Sequence, residues 1–455
     1  MRTKRLILFL AVVALAFSAV AQSPKAIRES LAKYPNLSCP VASTYPGIPF
    51  GEIAAAPEGF EPFYFTLVGR HGSRYEQKAS RFKKLCAILD KAHDMGILTK
   101  DGELLRSRAK EILKAQAGRD GELSELGVEQ WRGIAHRAYD HFGRVFDGGS
   151  IEGKSSTSLR CLLSMVAFND AMKEKNPKIM VHQQARASEL WIVRPLANNP
   201  AVSERAKELC KDYNDNGEWT KARKSWERGY DASAFLAKIS TDGDRLVEEC
   251  GGKYGARVMR YSLHTLLFGE NFELGDRELF NRLFSLDDLY FMYVYQTSHW
   301  LNFNIGRGNE YVEARQSHME AMLLDILNKG DEAIKGKNPN NANLRFTHDS
   351  YVGPLLSAIG YDGCVPQWNE DIEVATTSFN HGVYVPMAAN LQIVLYRDKS
   401  GKVLVRSLIN ERDATLPIKC DTAPFYPWEE FSKLVLKNLK ELKQSESSIL
   451  KKHGN

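Results

Sequence analysis

The stretch Phe63-Tyr64-Phe65-Thr66-Leu67-Val68-Gly69-Arg70-His71-Gly72-Ser73-Arg74-Tyr75 decides how this chain is read. Its first half is aromatic and β-branched, the composition of a buried strand. Its second half is a cluster of glycine, arginine and histidine delivered to the strand's C-terminal tip, which is where open α/β sheets bind ligands. Arg70 and Arg74 flank His71, and guanidinium forks match phosphate oxygens without losing their charge. Gly69 and Gly72 are expected to let the backbone adopt unusual dihedrals and approach a ligand closely. The spacing of Phe82, Leu85, Cys86 and Leu89 predicts a helix over 77–94, whose first N–H groups would face an anion at His71. Alone, the segment reads equally well as a strand end with ordinary surface arginines.

With 455 residues, 43% hydrophobic and 26% charged, the chain can bury a large core and form more than one structural unit. Arg2, Lys4 and Arg5 precede an apolar run over 6–17, and Ala19-Val20-Ala21 offers a small-x-small cleavage site. Residues 1–21 are therefore expected to be a secretory signal peptide, and the protein to be exported, periplasmic or extracellular. The run is too short to span a bilayer and no later stretch is apolar for long enough, so no membrane span is expected. Those basic residues account for three of the five formal positive charges, leaving the chain after Ala21 at +2. That near-balance gives no ground for a nucleic-acid partner. Cys39, Cys86, Cys161, Cys210, Cys250, Cys364 and Cys420 follow the signal. In an oxidising compartment some are expected to pair, and no spacing among them suits a metal.

Residues 22–62 are rich in proline, serine and alanine and read as an aperiodic surface wrap. Helices are expected over 101–117 and after Glu122, then a strand ending near Ser156 and a helix capped by Thr157 or Ser158. Arg160 falls in that helix's first turn, where its guanidinium can point back toward the edge that carries His71; a solvated arginine is the plainer reading. After a short strand at 179–182, residues 196–336 are helical and aromatic-rich with no convincing strand. Their Lys221-Ala222-Arg223-Lys224 run reads as a solvated face, and Gly306-Arg307-Gly308 lacks the third glycine of a dinucleotide fingerprint. A strand at 343–347 empties into His348-Asp349, followed by a helix, a hairpin at 390–409 and an amphipathic helix over 428–452. The fold class is α/β: a layered sheet with flanking helices, its core split between 22–195 and 337–455, and an all-helical cap inserted at 196–336.

Arg70-His71-Gly72-Ser73-Arg74, then Arg160, then His348-Asp349, each at a strand-to-helix junction, resembles the histidine acid phosphatases. Tyr75, Ser155-Ser156 before Arg160-Cys161, Pro354-Leu355-Leu356-Ser357, Gly360-Tyr361, Val385-Pro386, Ala389-Asn390-Leu391 and Leu408-Ile409-Asn410-Glu411 look most like the multiple inositol-polyphosphate phosphatases. The resemblance implies a phosphoglycerate mutase-like core and a catalytic cycle without metal or other cofactor. In that cycle neutral His71 takes the phosphoryl group, Arg70, Arg74, Arg160 and His348 hold its oxygens, and Asp349 protonates the leaving group. The implied substrates are phosphate esters, namely phytate-like inositol polyphosphates, with 2,3-bisphosphoglycerate as a further one. Additional phosphates need additional cations, which Lys78, Arg81, Lys83 and Lys84 follow the motif closely enough to supply, with Lys78 and Arg81 the candidates to reach substrate; as helix-surface residues all four are more usually just solvated. Two departures stand out: Glu76 where a proline is usual, and His348-Asp349-Ser350 where histidine-alanine-glutamate is usual. A broad acid phosphatase on small monoesters is the alternative, and a non-catalytic phosphate-ester-binding protein a weaker one, since both His71 and Asp349 are retained. Nothing in the sequence sets an oligomeric state.

Overall fold

In the computed structural model, which describes residues 23–269, 274–301 and 305–454, Glu61–Arg70 forms strand β1, buried from Tyr64 onward. The expected signal peptide lies outside the described residues. Side chains alternate along a strand, and both faces of β1 are covered. Phe65 and Leu67 pack with Trp131, Phe168 and Phe346 on one side, while Tyr64 and Val68 join Val352, Leu355 and Phe431 on the other. β2 (Ser150–Ser155), β3 (Met180–Gln184) and β4 (Ala342–Thr347) run parallel to β1. β5 (Asn390–Arg397), antiparallel to β1, and β6 (Val403–Ile409), antiparallel to β5, form the expected hairpin. With β7 (Arg412–Asp413) and β8 (Phe425–Pro427), the described strands make one eight-stranded sheet in the order β3-β2-β4-β1-β5-β6-β7, with β8 also pairing β6.

The first five α-helices are α1 (Pro24–Lys33), α2 (Ser80–Asp94), α3 (Lys100–Gln116), α4 (Glu125–Phe146) and α5 (Leu159–Lys175). α4 and α5 cover one face of the sheet; the helices Asp349–Ile359 and Trp428–Lys452 cover the other. This is the layered α/β class expected from the sequence. Between β3 and β4 the named elements are all helical, ending with Glu320–Ile334. The buried cluster on the Tyr64 face continues into that segment through Leu263, Leu267 and Tyr293. No described helix is long and apolar enough to cross a membrane.

Three expectations are corrected. The wrap at 22–62 contains α1: the Ser23 side chain accepts the Ala26 N–H at 3.2 Å, Pro24 occupies the first turn, and Ile27 and Leu31 are buried one turn apart. All seven cysteines are free thiols. Six of them are buried, in separate settings such as Cys250 against the Met259 sulfur at 3.3 Å and Cys39 near Gln296 at 3.8 Å.

The third correction concerns Gly69 and Gly72, neither of which has a positive φ. A Cβ at Gly69 would lie 2.3 Å from Trp131, and one at Gly72 would lie 2.4 Å from the Gly127 carbonyl oxygen. The glycines bring the motif loop onto α4 rather than onto a ligand. Gly72→Ala is therefore expected to lower the unfolding free energy by about 1–3 kcal/mol through overpacking. A denaturant midpoint equal to that of the wild type would remove this account.

Candidate active site

Strand register brings the motifs together. Arg70 lies opposite Thr347 and Ser155 opposite Phe346. The His71 N–H then donates to the Thr347 carbonyl and the Ser156 N–H to the Phe346 carbonyl, each at 3.0 Å, so β1, β2 and β4 end at one edge. His71 and His348 emerge side by side with ring centroids 5.5 Å apart at 72°. Ser164 of α5 accepts the Gly72 N–H at 3.0 Å and donates to the Arg160 carbonyl at 2.7 Å, which ties the first turn of α5 to the motif loop. Arg160 consequently joins Arg70, Arg74 and His348 among the charges acting on His71.

The helix expected from residue 77 begins at Ser80. The loop N–H groups of Gly72 and Ser73 are taken by Ser164 and by Gln130 Oε1, the latter at 2.9 Å. The start of α2 is displaced from the motif loop, and the charges that bear on the His71 ring are those of Arg70, Arg74, Arg160 and His348.

His71 Nδ1 lies 2.9 Å from the Gly72 carbonyl oxygen. A carbonyl can only accept, so Nδ1 carries the proton and Nε2 the lone pair. Burial, reinforced by Arg70, Arg74, Arg160 and His348, pulls the His71 pKa well below the ordinary imidazole value and keeps the ring neutral. His348 falls to about 4, chiefly through burial and then through Arg160. Its Nε2 is 3.3 Å from Ser156 Oγ, and Cys161 Sγ, which donates to the Thr347 carbonyl at 3.1 Å, lies 3.7 Å from the same nitrogen.

Arg70 is completely buried and is not a freely swinging fork. Its Nη1 donates to the Val385 carbonyl at 2.8 Å, and its Nη2 to the Val41 carbonyl at 2.7 Å and to Asp349 Oδ2 at 2.9 Å. The Nε–H of Arg70 is buried without a partner, and so are those of Arg74 and Arg160. Leaving a buried donor unpaired is costly; three such donors on the three motif arginines suit an anion that carries several oxygens. Burial lowers Arg74 to about 10 against the opposing charge of Glu76, so it remains a cation at neutral pH. Asp349 Oδ1 accepts the Ser350 N–H at 2.8 Å. Burial alone would raise the Asp349 pKa, but Arg70, followed by His381 and His348, outweighs it and holds the carboxyl below its ordinary value.

Of the two outlying candidates, Lys78 is exposed and is not among the principal charges acting on His71 or Arg74. Arg81 pairs with Glu76 Oε2 at 2.5 Å and lies 5.0 Å above the Tyr261 ring. Three neighbours escaped the sequence reading. Arg194 bears on His348 and approaches Tyr351 Oη at 3.4 Å. His381, fully buried, stacks on Trp300 at 4.9 Å and lies within the field of Arg70 and Asp349. Arg223, assigned above to a solvated face, sits 5.3 Å over Tyr295 and bears on His299. None of the three belongs to a local pattern that would have marked it.

Residues 64–410 match the family model described as histidine phosphatase superfamily (branch 2). No curated protein sequence matches significantly. Among solved structures, the Bifidobacterium longum multiple inositol polyphosphate phosphatase in complex with inositol hexasulfate superposes with a TM-score of 0.68 at 17% identity, covering 87% of this chain and 97% of that one. The phytase from D. castellii gives a TM-score of 0.61 at 17% identity, covering 89% and 85%. A family match that spans three strand tips, and the imidazole and guanidinium groups those tips gather, agree on one assignment: the chain belongs to the histidine phosphatase superfamily, branch 2, and is a phosphoric monoester hydrolase.

Proposed function

We propose that the protein is exported and removes phosphate from inositol polyphosphates through a phosphohistidine at His71. The observation that carries this reading is the neutral His71 ring, its Nδ1 proton held by the Gly72 carbonyl, among three arginines with unpaired Nε donors. Nε2 attacks phosphorus in line, and the N–P bond forms as the ester P–O bond breaks. Arg70, Arg74, Arg160 and His348 stabilise the equatorial oxygens. Asp349 donates a proton to the departing alkoxide, and in the second step its carboxylate takes a proton from the water that cleaves the N–P bond. Asp349 is ionised beside Arg70 at rest; a phosphate dianion adds negative charge next to it and competes for Arg70, and both effects raise its proton affinity.

Two things support the polyphosphate class. Arg194, which bears on His348, and Arg81, paired with the Glu76 carboxylate that bears on Arg74, add cations beside the central group, and the B. longum enzyme was solved with inositol hexasulfate, a polyanion of the same shape. The reading extends to 2,3-bisphosphoglycerate as a smaller polyanion. Phosphate release from phytate, 2,3-bisphosphoglycerate and glucose 6-phosphate tests it: kcat/KM for phytate is expected to exceed that for the sugar phosphate by roughly tenfold or more, a difference of about 1.4 kcal/mol. Equal values would favour the second reading, a broad acid phosphatase, which draws on one observation: Glu76 already occupies Arg81.

A further inference from the structure

Besides Asp349, a second carboxylate, that of Glu76, bears on the motif arginines. Glu76 Oε1 accepts the Gln77 N–H at 2.8 Å, and Oε2 accepts from Arg81 Nη2 at 2.5 Å. The backbone of Glu76 is held independently of its side chain. Its carbonyl receives the Gly121 N–H at 2.8 Å and Gln116 Nε2 at 2.9 Å, and its N–H donates to Gln116 Oε1 at 3.1 Å. The carboxylate is therefore not what shapes the loop. It lies close enough to Arg74 to be the first of the charges acting on that guanidinium, so one acid faces both cations.

Arg81 opens a continuous wall. Its guanidinium covers the Tyr261 ring at 5.0 Å, Tyr261 meets Tyr295 edge-on at 6.0 Å, and Arg223 lies 5.3 Å over Tyr295. The wall runs from the motif loop across the helices Lys253–Phe268 and Leu286–Trp300 to the helix Glu218–Arg228, with a guanidinium at each end. The Arg81 Nε–H is buried without a partner while Nη2 is engaged by Glu76. A phosphate attached to the same ring as the one over His71, and directed along this wall, meets Arg81 and its carboxylate together.

We propose that Glu76 is a specificity-determining residue: an internal anion that a second phosphate must displace from Arg81, which weakens polyphosphorylated ligands selectively. This rests on the phosphatase reading above and on Arg81 as a contact for remote phosphates. The penalty is Coulombic, so it grows with the charge a ligand carries near the rim, and an anion confined to the His71 pocket feels less of it.

The test compares two competitors of p-nitrophenyl phosphate hydrolysis, inositol hexakissulfate and inorganic phosphate, in wild type and Glu76→Gln. The inhibition constant for the hexakissulfate is expected to fall about fivefold in the variant, while that for phosphate changes by less than about twofold. Adding Arg81→Ala to Glu76→Gln should erase the gain, because the two changes act through one pair. Equal shifts for both competitors, weaker hexakissulfate binding in Glu76→Gln, or a gain that survives Arg81→Ala would each overturn the proposal. The assay uses a simple ester, and titration calorimetry with hexakissulfate gives the same comparison without turnover, so a protein inactive on phytate would sink the substrate reading and still report on Glu76.

Discussion

His71→Ala is expected to reduce turnover by on the order of 10⁴-fold or more, the scale seen when an enzyme loses its nucleophile and keeps its binding groups. The loss should appear in kcat, because the arginines that would hold the phosphoryl oxygens remain: Arg70 is fixed by the Val385 and Val41 carbonyls, and Arg160 by its place in the first turn of α5, not by His71. Inorganic phosphate should still bind within a few-fold of wild type. Acid quenching during turnover of a ³²P-labelled ester should trap an acid-labile label on wild-type protein and none on the variant. The Nδ1 bond to Gly72 adds a further expectation, that the label sits on Nε2. The depressed His71 pKa also gives a sign for pH dependence. Protonation would destroy the nucleophile, and burial with the surrounding cations defers it to well below the ordinary value. The ring should therefore cause no loss of kcat between about pH 7 and 6, where a free imidazole of pKa ~6.5 would. Label trapped on another residue, or a variant within tenfold of wild type, would take the nucleophile's role from His71.

What was legible in the sequence follows the range of the forces involved. The composition of β1 and the hairpin β5–β6 are local signals, and register did the rest: because Arg70 pairs with Thr347, two histidines nearly 280 positions apart had to emerge together. α2 starts later than its spacing predicts because helical spacing from Phe82 says where an apolar face lies, not where the backbone enters the helix; the approach is set by Ala79 and by Asp120, whose carboxylate accepts the Ala79 N–H at 3.3 Å. Gly69 and Gly72 were read as ligand-facing, and their neighbours proved to be Trp131 and Gly127 on α4, a packing partner that no local pattern names. Arg194 and Arg223 lie in the segment between β3 and β4, and His381 opens the short helix His381–Tyr384 before β5, all remote in sequence from the motif loop. The role of Arg70 was half visible. Its charge could be read, but not that the carbonyls of Val41 and Val385, over 300 residues apart, would occupy both Nη groups and leave Nε without a partner.

That constraint on Arg70 bears directly on Asp349→Asn, which is expected to slow hydrolysis of an alkyl phosphate by about 10²–10⁴-fold, the contribution of a positioned acid, while slowing p-nitrophenyl phosphate far less. The contrast matters because the variant does two things. It removes the proposed proton donor, and it leaves the buried Arg70 guanidinium without the carboxylate 2.9 Å away. Loss of that pair disturbs the pocket for every substrate alike, whereas loss of the acid is felt only where the leaving oxygen is strongly basic. The two effects separate further with pH. The folded-state pKa of Asp349 lies below its unfolded value, so the charged pair contributes stability that is present above about pH 3.9 and is lost as pH falls through the lower, folded value. Asp349→Asn should therefore be destabilised relative to wild type at neutral pH, and the gap should close in strong acid. The leaving-group contrast should persist at every pH where both proteins are folded, because it comes from proton donation and not from the ion pair. Equal losses on alkyl and nitrophenyl esters, with a stability gap that tracks them, would make Asp349 the counterion of Arg70 and nothing more, and the proton for the leaving oxygen would then have to come from another group at the same edge.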